Sequence, residues 1–230
     1  MSIEYMSLQL EGPLQSWGVN SEYSRRNTEL MPTKSGICGM CCAGAGANRG
    51  SDLEKQIISE FYKIRMLSIA IPKKIGNRTL KISRMRDYHT VQNTITAEGK
   101  IKECHLTERF YLTDAKFGVV LSGDSDVLYR FGKYLSNPVW GLWLGRKNCI
   151  PSVPIFIGIF ENKIKALEPL IGNVPLDNFT RQEDVLNFSD EQGNIGTAVD
   201  SISDNPVSFN SSNRKFAPRR VRTIYRIKPK

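Results

Sequence analysis

Apolar and polar residues alternate near the start of the chain, where Met6, Leu8 and Leu10 occupy every second position. This spacing predicts a β-strand with one buried face, which Gly12-Pro13 ends. Three further apolar stretches predict strands around residues 67–71, 115–121 and 155–160.

Helices are predicted between these strands from their start and stop signals. Pro32-Thr33 precedes a segment rich in Gly, Ala and Cys. Ser51-Asp-Leu-Glu54 has the spacing of a capping box. Asp124 precedes apolar residues at helical spacing, and Asn137-Pro138 ends that helix.

Residues 73–113 are rich in Lys, Arg and Thr and have few large aliphatic side chains. With a turn signal at Glu98-Gly99, they predict a long, projecting β-hairpin. The order strand, helix, strand, strand, helix, strand is typical of ferredoxin-like or RRM-type domains. We therefore predict an α+β protein with such a domain at residues 1–160 and a C-terminal β elaboration with a basic tail strand at 161–230. The polar stretch 184–213 is the predicted flexible segment.

The charge of this 230-residue chain points to a polyanionic partner, because its formal net charge is +9. The segment from Arg214 to Lys230 holds eight Lys or Arg and no acid, so eight of the nine net charges lie there. Such a tail is either a solvated arm or a strand. Alternation at Val221, Thr223 and Tyr225 favours the strand.

Cysteine usage and the lack of targeting signals predict that the protein resides in the cytosol. A Cys38-x-x-Cys41-Cys42 run invites a metal interpretation, but no second ligand pair is suitably spaced and the chain has two histidines. Small neighbouring residues favour buried free thiols in a reducing cytosol, with no metal and no cofactor. Without a signal peptide, lipidation motif or long apolar span, we expect a soluble cytoplasmic protein with no membrane partner.

One face of the predicted hairpin carries Arg84, Arg86 and Tyr88, because strand residues two apart share a face, and the other face carries Asp87 and His89. Two guanidiniums and a phenol suit contact with phosphates and one stacked base. The alternative is a solvated strand face on which Arg86 pairs with Asp87 or another acid.

A loop from Trp140 to Asn148 offers a second candidate contact. Trp143 provides a stacking platform, and Arg146 and Lys147 provide charge. The alternative is that the tryptophans belong to the core, which we expect at least for Trp140.

Catalytic motifs are absent from the sequence: it has no nucleophile elbow, P-loop or His/Asp metal cluster. Metal-independent RNA cleavage needs a base for a 2′-OH and an acid for the leaving oxygen. The candidates for those roles are Lys34, Tyr88, His89 and His105. Lone histidines are more often structural, so we expect no catalytic residues.

Several sequence blocks together resemble one family. They are Leu8–Gly18 with Pro32–Gly39, Arg86-Asp-Tyr-His-Thr-Val91, Glu108-Arg-Phe-Tyr-Leu112 with Asp114, and Leu144-Gly-Arg-Lys-Asn-Cys149. In this order the blocks resemble the Cas-five (CasD) family of CRISPR antiviral defence, most closely its type I-E branch.

The resemblance implies a modified RRM-like (RAMP) domain with a β-hairpin thumb. It also implies a subunit of the Cascade ribonucleoprotein that holds the 5′ handle of the crRNA, caps the complex, and contacts its last backbone subunit and its large subunit. Target DNA would then be met indirectly, through the complex. In type I-C the family member also cuts precursor RNA, whereas in type I-E it does not, so a metal-independent pre-crRNA endoribonuclease is the alternative. A stand-alone RNA chaperone is a weaker one.

Carried over by resemblance, the RNA-binding candidates are Gln15, Trp17, Lys34, Ser35, Arg86, Tyr88, His89, Arg109, Trp143, Arg146 and Lys147. The chemistry of the polar loop and of the hairpin adds Arg25, Arg26 and Arg84.

Overall fold

The computed structural model describes residues 2–19, 24–80, 82–96, 98–185 and 197–226. Helices within these ranges are α1 (Lys34–Gly44), α2 (Asp52–Tyr62), α3 (Ser125–Ser136) and α4 (Lys163–Ile171). Strands within them are β1 (Ile3–Glu11), β2 (Leu14–Gln15), β3 (Arg25–Arg26), β4 (Arg65–Ala70), β5 (Lys73–Ile75), β6 (Arg78–Leu80), β7 (Ser83–Ile95), β8 (Ile101–Thr113), β9 (Lys116–Asp124), β10 (Phe156–Phe160), β11 (Thr180–Asp184), β12 (Thr197–Ser208) and β13 (Lys215–Ile224). No described helix is long and apolar enough to cross a membrane.

Seven strands form one antiparallel sheet in the order β10-β1-β9-β4-β11-β13-β12. The alternation predicted in β1 is confirmed, since Met6, Leu8 and Leu10 are fully buried in the cluster that contains residues of α1, α2 and α3. The C-terminal strands continue this sheet beyond β4. The protein is therefore α+β and mostly antiparallel.

The predicted helix starts are confirmed by their caps. The Thr33 hydroxyl accepts from the amide of Gly36. The Ser51 hydroxyl accepts from the amide of Glu54 at 3.2 Å. A carboxylate oxygen of Asp124 accepts from the first amides of α3. Each side chain satisfies an amide that has no partner within the helix.

Helix α4 was not predicted from the sequence. Its Asn162 N-cap accepts from the amide of Lys165 at 2.9 Å, and Ala166 and Leu170 are buried. Pro169 lies inside the helix and hides the helical signal, because proline is read as a breaker. The helix packs on the sheet face opposite α1 and α3, where the hydroxyl of Ser7 donates to the carbonyl of Ala166 at 2.5 Å.

The single hairpin predicted at 73–113 is two hairpins. Strands β5 and β6 form a short one around Gly76, which has a φ of 55°, and β7 and β8 form a long one. The long hairpin turns at Gly99, with a φ of 79°, as the Glu98-Gly99 signal predicted. Gly76-Asn77 is itself a turn signal, which the prediction passed over.

The described part of the segment 184–213, which was predicted to be flexible, is largely strand. Residues 197–208 form β12, which pairs with β13. Residues 186–196 of the predicted segment lie outside the described ranges. The tail strand is confirmed as β13, and its pairing with β11 and β12 places part of the basic tail inside the sheet.

Buried charges hold the C-terminal strands to α1. The guanidinium of Arg219 on β13 donates to Asp204 on β12, with one contact of 2.9 Å, and to Asp184 on β11. Asp204 also accepts from the backbone amide of Lys34 at 2.8 Å, and the ammonium of Lys34 lies 3.6 Å from Asp184. All four side chains are nearly or fully buried. Burial lowers the pKa of Lys34, and the Asp184 carboxylate opposes that shift.

We expect Arg219→Met to destabilise the fold by about 3–5 kcal/mol, because it leaves two buried carboxylates without their main partner. Urea unfolding measures the loss. Lys165→Met, which breaks an exposed pair with Glu161, is the control and should leave the midpoint unchanged. Equal midpoints for the two variants would contradict the structural role of Arg219.

The cysteines are free thiols. Cys38, Cys41 and Cys42 are buried in α1, as predicted, and Cys149 is buried while Cys104 is exposed. Burial raises the pKa of the Cys38, Cys41 and Cys149 thiols. Among the described residues, no three His, Cys, Asp or Glu side chains are grouped so that they could hold a metal ion.

A thiol titration should therefore report one fast cysteine in the native protein. At about pH 8 an aromatic disulfide reagent should react rapidly with Cys104 and slowly with the buried thiols, since thiolate is the reacting form. All five should react after unfolding in denaturant. Cys104→Ser is the matched variant and should remove the fast phase.

Candidate nucleic-acid interface

The long hairpin is fixed to the body of the protein at its base. Tyr111 and Leu112 of β8 are buried in the main core, while most of the distal hairpin is exposed. Strand β2 pairs antiparallel with β8, matching Gln15 to Leu112, and β3 pairs parallel with β8, matching Arg25 to Glu108. The hairpin therefore has a rigid root and an accessible outer part.

Gln15 and Trp17 build this root and are not surface groups. The Gln15 amide nitrogen donates to the carbonyls of Leu10 at 3.1 Å and Ala115 at 2.7 Å. Its oxygen accepts from the Trp17 indole at 3.1 Å. Both side chains are buried, which gives them a structural role and argues against the predicted contact of these side chains with RNA. Sequence alone does not reveal this, because a Gln and a Trp in a loop motif also suit nucleic-acid contact.

The N-terminus of α1 is already occupied by protein groups. Asp204 accepts the Lys34 amide, and the Lys34 side chain is buried beside Asp184. Ser35 is half-buried, with its hydroxyl 3.5 Å from that of Thr33. These carboxylates lie where a phosphate would bind, which argues against the predicted phosphate contact of Lys34.

The hairpin face with Arg84, Arg86 and Tyr88 is the main exposed cationic surface of the site. We call it the arginine face. The guanidinium carbon of Arg84 lies 4.4 Å from the centre of the Phe110 ring, and that of Arg25 lies 5.3 Å from it. Cation–π contact holds these guanidiniums over the ring while their charge stays open to solvent. Phe110 was not singled out in the sequence, although it lies two residues from Leu112 on the same strand face.

Acidic side chains lie close to the arginine face. The Glu108 carboxylate is 3.5 Å from the Arg86 guanidinium, and the exposed fractions of these side chains are 32% and 63%. Sequence reasoning had considered an acid partner for Arg86, and the partner is Glu108 rather than Asp87. An exposed pair of this kind contributes about 0–1 kcal/mol, so a phosphate can compete for the guanidinium. Arg84 also lies near the half-buried Glu29 and opposes the rise in its pKa that burial causes, so three guanidiniums meet two carboxylates and the face stays cationic.

The opposite face of the hairpin holds Arg26, His89 and Arg109. Arg26 is matched to Arg109 in the β3–β8 register, and Arg109 is matched to Asp87 across the hairpin. His89 lies 3.9 Å from the Asp87 carboxylate. The residues predicted to contact RNA are therefore divided between the two faces of the hairpin. A nucleic-acid strand would have to bend around the hairpin to reach both sets.

Arg146 contacts both β3 and β8 at the base of the long hairpin. Its guanidinium donates to the carbonyl of Arg26 at 2.8 Å and to that of Phe110 at 3.3 Å, and it lies 4.8 Å from the centre of the Tyr111 ring. Gly145 permits the loop, because its φ is 101° and a Cβ there would lie 1.8 Å from the Ser16 carbonyl. The loop therefore links β3 to β8 through Arg146.

The other predicted loop residues differ in exposure. Lys147 is exposed and Trp143 is half-buried. Trp140, expected in the core, is 45% exposed, so that expectation is wrong. Trp140 follows the end of α3 at Ser136, in a segment with neither helix nor strand.

We expect Arg146→Lys to lower the stability of the fold by about 2 kcal/mol, since an ammonium cannot donate to these carbonyls in a planar fork. Lys147→Ala, one residue away and exposed, should melt like the wild-type protein. Thermal melts of both variants decide whether Arg146 is structural. Unchanged melting of Arg146→Lys with weaker RNA binding would instead make it a direct contact.

The broad sheet is a poor surface for nucleic acid. RRM domains bind RNA on the sheet face opposite their helices. Here α4 covers that face, with Ser7, Val120 and Leu67 buried beneath it. The long hairpin, by contrast, keeps exposed cations such as Arg84 and Arg86.

Comparisons with known proteins identify the family of the chain. The model of the family described as CRISPR-associated protein (Cas_Cas5) matches residues 5–222. The CRISPR system Cascade subunit CasD of Escherichia coli (strain K12) is 31% identical over 180 residues, which are 74% of this chain and 80% of that protein. The chain belongs to the Cas-five family of CRISPR-associated proteins.

Two solved structures share the fold. A chain of a CRISPR RNA-guided surveillance complex superimposes with a TM-score of 0.72 at 24% identity, covering 96% of this chain and 89% of that one. A structure described as a Cas protein superimposes with a TM-score of 0.64 at 27% identity, covering 98% and 100%.

Proposed function

We propose that this protein is a non-catalytic, RNA-binding subunit of a type I CRISPR effector complex, Cascade. In that role it holds the 5′ handle of the crRNA and caps the backbone filament. The observation that carries the proposal is the arginine face, where Arg25 and Arg84 flank the Phe110 ring beside Tyr88. Guanidiniums bind phosphates, and exposed rings stack on splayed bases.

The fold supports the same role. The unit β10-β1-β9-β4 with its intervening helices has the strand order expected of an RRM-like core, and the long hairpin would serve as a thumb. A hairpin with cations on both faces suits an RNA strand that bends around it. The backbone subunit and the large subunit would then lie against this protein, and target DNA would be met only through the complex. The E. coli relative bears the name of a Cascade subunit.

Stacking and charge can be separated by two variants of the arginine face. Tyr88→Ala should weaken binding of the handle RNA by about 1–3 kcal/mol with an unchanged salt slope, because a stacked ring releases no counterions. Arg86→Ala should reduce the magnitude of the log–log salt slope by roughly 0.7–1, the loss of one phosphate contact. Fluorescence anisotropy at several salt concentrations measures both quantities.

Lys165→Ala on α4 is the control for these variants, since it removes an exposed cation outside the hairpin. It should change neither affinity nor slope. An equal loss of salt slope in Lys165→Ala and Arg86→Ala would mean that the RNA is attracted by the overall positive charge and not bound at the arginine face.

A second candidate function follows from the hairpin register. His89 is matched to Thr107, and His105 is matched to Val91, so both histidines of the chain lie on one face as diagonal neighbours. Diagonal residues in an antiparallel pair are about 7–8 Å apart, which is within reach of one phosphodiester group. This placement supports the alternative function, a metal-independent endoribonuclease that matures its own pre-crRNA.

Labelled repeat RNA incubated with the protein in EDTA distinguishes the two functions. We expect the RNA to stay intact, because Lys34 is buried and Tyr88 lies on the opposite face of the hairpin, so neither can assist the two histidines. Specific cleavage that is lost in both His89→Ala and His105→Ala would establish the endoribonuclease instead.

A further inference from the structure

The two edges of the seven-stranded sheet are protected very differently. Strand β12, at one edge, carries Asp200, Asp204 and Pro206, residues that discourage pairing with another strand. Strand β10, at the other edge, reads Phe-Ile-Gly-Ile-Phe and has neither charge nor proline. Among the described residues β10 pairs with β1 alone, so its outer backbone groups face away from the sheet.

An apolar groove runs beside this unprotected edge. One cavity of about 730 Å³ lies between α3 and β10. A second cavity of about 450 Å³ lies beside residues 150–156, which lead into β10. The two share Ser136 and Phe156 in their linings, and together they follow the chain from residue 150 to residue 159. Tyr129 and Ile150, at opposite ends, are 53% and 57% exposed. Large exposed apolar surface of this kind is typical of protein–protein contact.

We propose that an extended segment of another subunit of the complex adds to β10 as an outer strand. It would place alternate apolar side chains in this groove. The inference rests on the proposed function, since it needs an assembly to supply the segment. Unpaired N–H and C=O groups at strand spacing are matched by an extended chain and not by a helix, whose backbone groups are already paired.

The charge of the groove favours a different subunit over a second copy of this chain. Lys133 is the one charged side chain among the described residues that line the two cavities. Antiparallel pairing of β10 with itself would bring a second Lys133 to the same groove, between two chains that each carry a formal charge of +9. The occupant is therefore an apolar strand with an acidic residue placed to meet Lys133.

Co-expression with the other subunits and the guide RNA tests the proposal. Tyr129→Asp puts a carboxylate at the groove, and we expect it to reduce recovery of the full complex by about tenfold, as loss of one interface anchor does. Tyr62→Asp on α2, 58% exposed, is the matched control and should assemble normally. Both isolated variants should melt and bind handle RNA like the wild-type protein, which separates this surface from the proposed function. Normal assembly of a well-folded Tyr129→Asp would overturn the proposal.

Hydrogen exchange of β10 amides tests strand addition itself. Outward-facing amides in residues 156–160 should exchange rapidly in the free subunit and become protected in the assembled complex. Unchanged exchange on assembly would rule out strand addition. Protection in the free protein that disappears on dilution would assign the edge to a second copy and also overturn the proposal.

Discussion

The buried residue Gln15 holds the long hairpin to the sheet. Its nitrogen satisfies two carbonyls, one from β1 and one from the residue before β9, and its oxygen accepts the indole of Trp17. Its backbone pairs with Leu112 at the root of β8. One residue, through its side chain and its backbone, thus fixes the central strands, the hairpin and Trp17 relative to one another. Because every one of these contacts is buried, loss of the carboxamide would leave several polar groups without partners at once.

Most of the local structure was predictable because it depends on local rules. The alternation in β1, the caps Ser51 and Asp124, and the turn at Gly99 act over a few residues. The same holds for the grouping of Arg84, Arg86 and Tyr88, which follows from the two-residue period of a strand. Their role as RNA contacts stays a prediction, but their shared exposed face is a direct consequence of the sequence pattern.

Errors arose where distant parts of the chain decide the outcome. Lys34 has the residue type and position of a phosphate contact, and only the arrival of Asp184 and Asp204 makes it a buried structural group. Helix α4 was missed because tertiary packing of Ala166 and Leu170 overrides the unfavourable Pro169. A two-residue motif can specify a cap, but it cannot specify which carboxylate lies beside it after folding.

The contact between Lys34 and Asp204 has a consequence for synthesis of the protein. These residues are 170 positions apart, and the amide of Lys34 is one of the free groups at the start of α1. While the ribosome is still making the last quarter of the chain, α1 lacks that partner, and its Lys34 side chain lacks Asp184. The N-terminal half therefore reaches its final electrostatic environment only when β12 and β13 have emerged. A truncated chain would present α1 with an open, positively charged end.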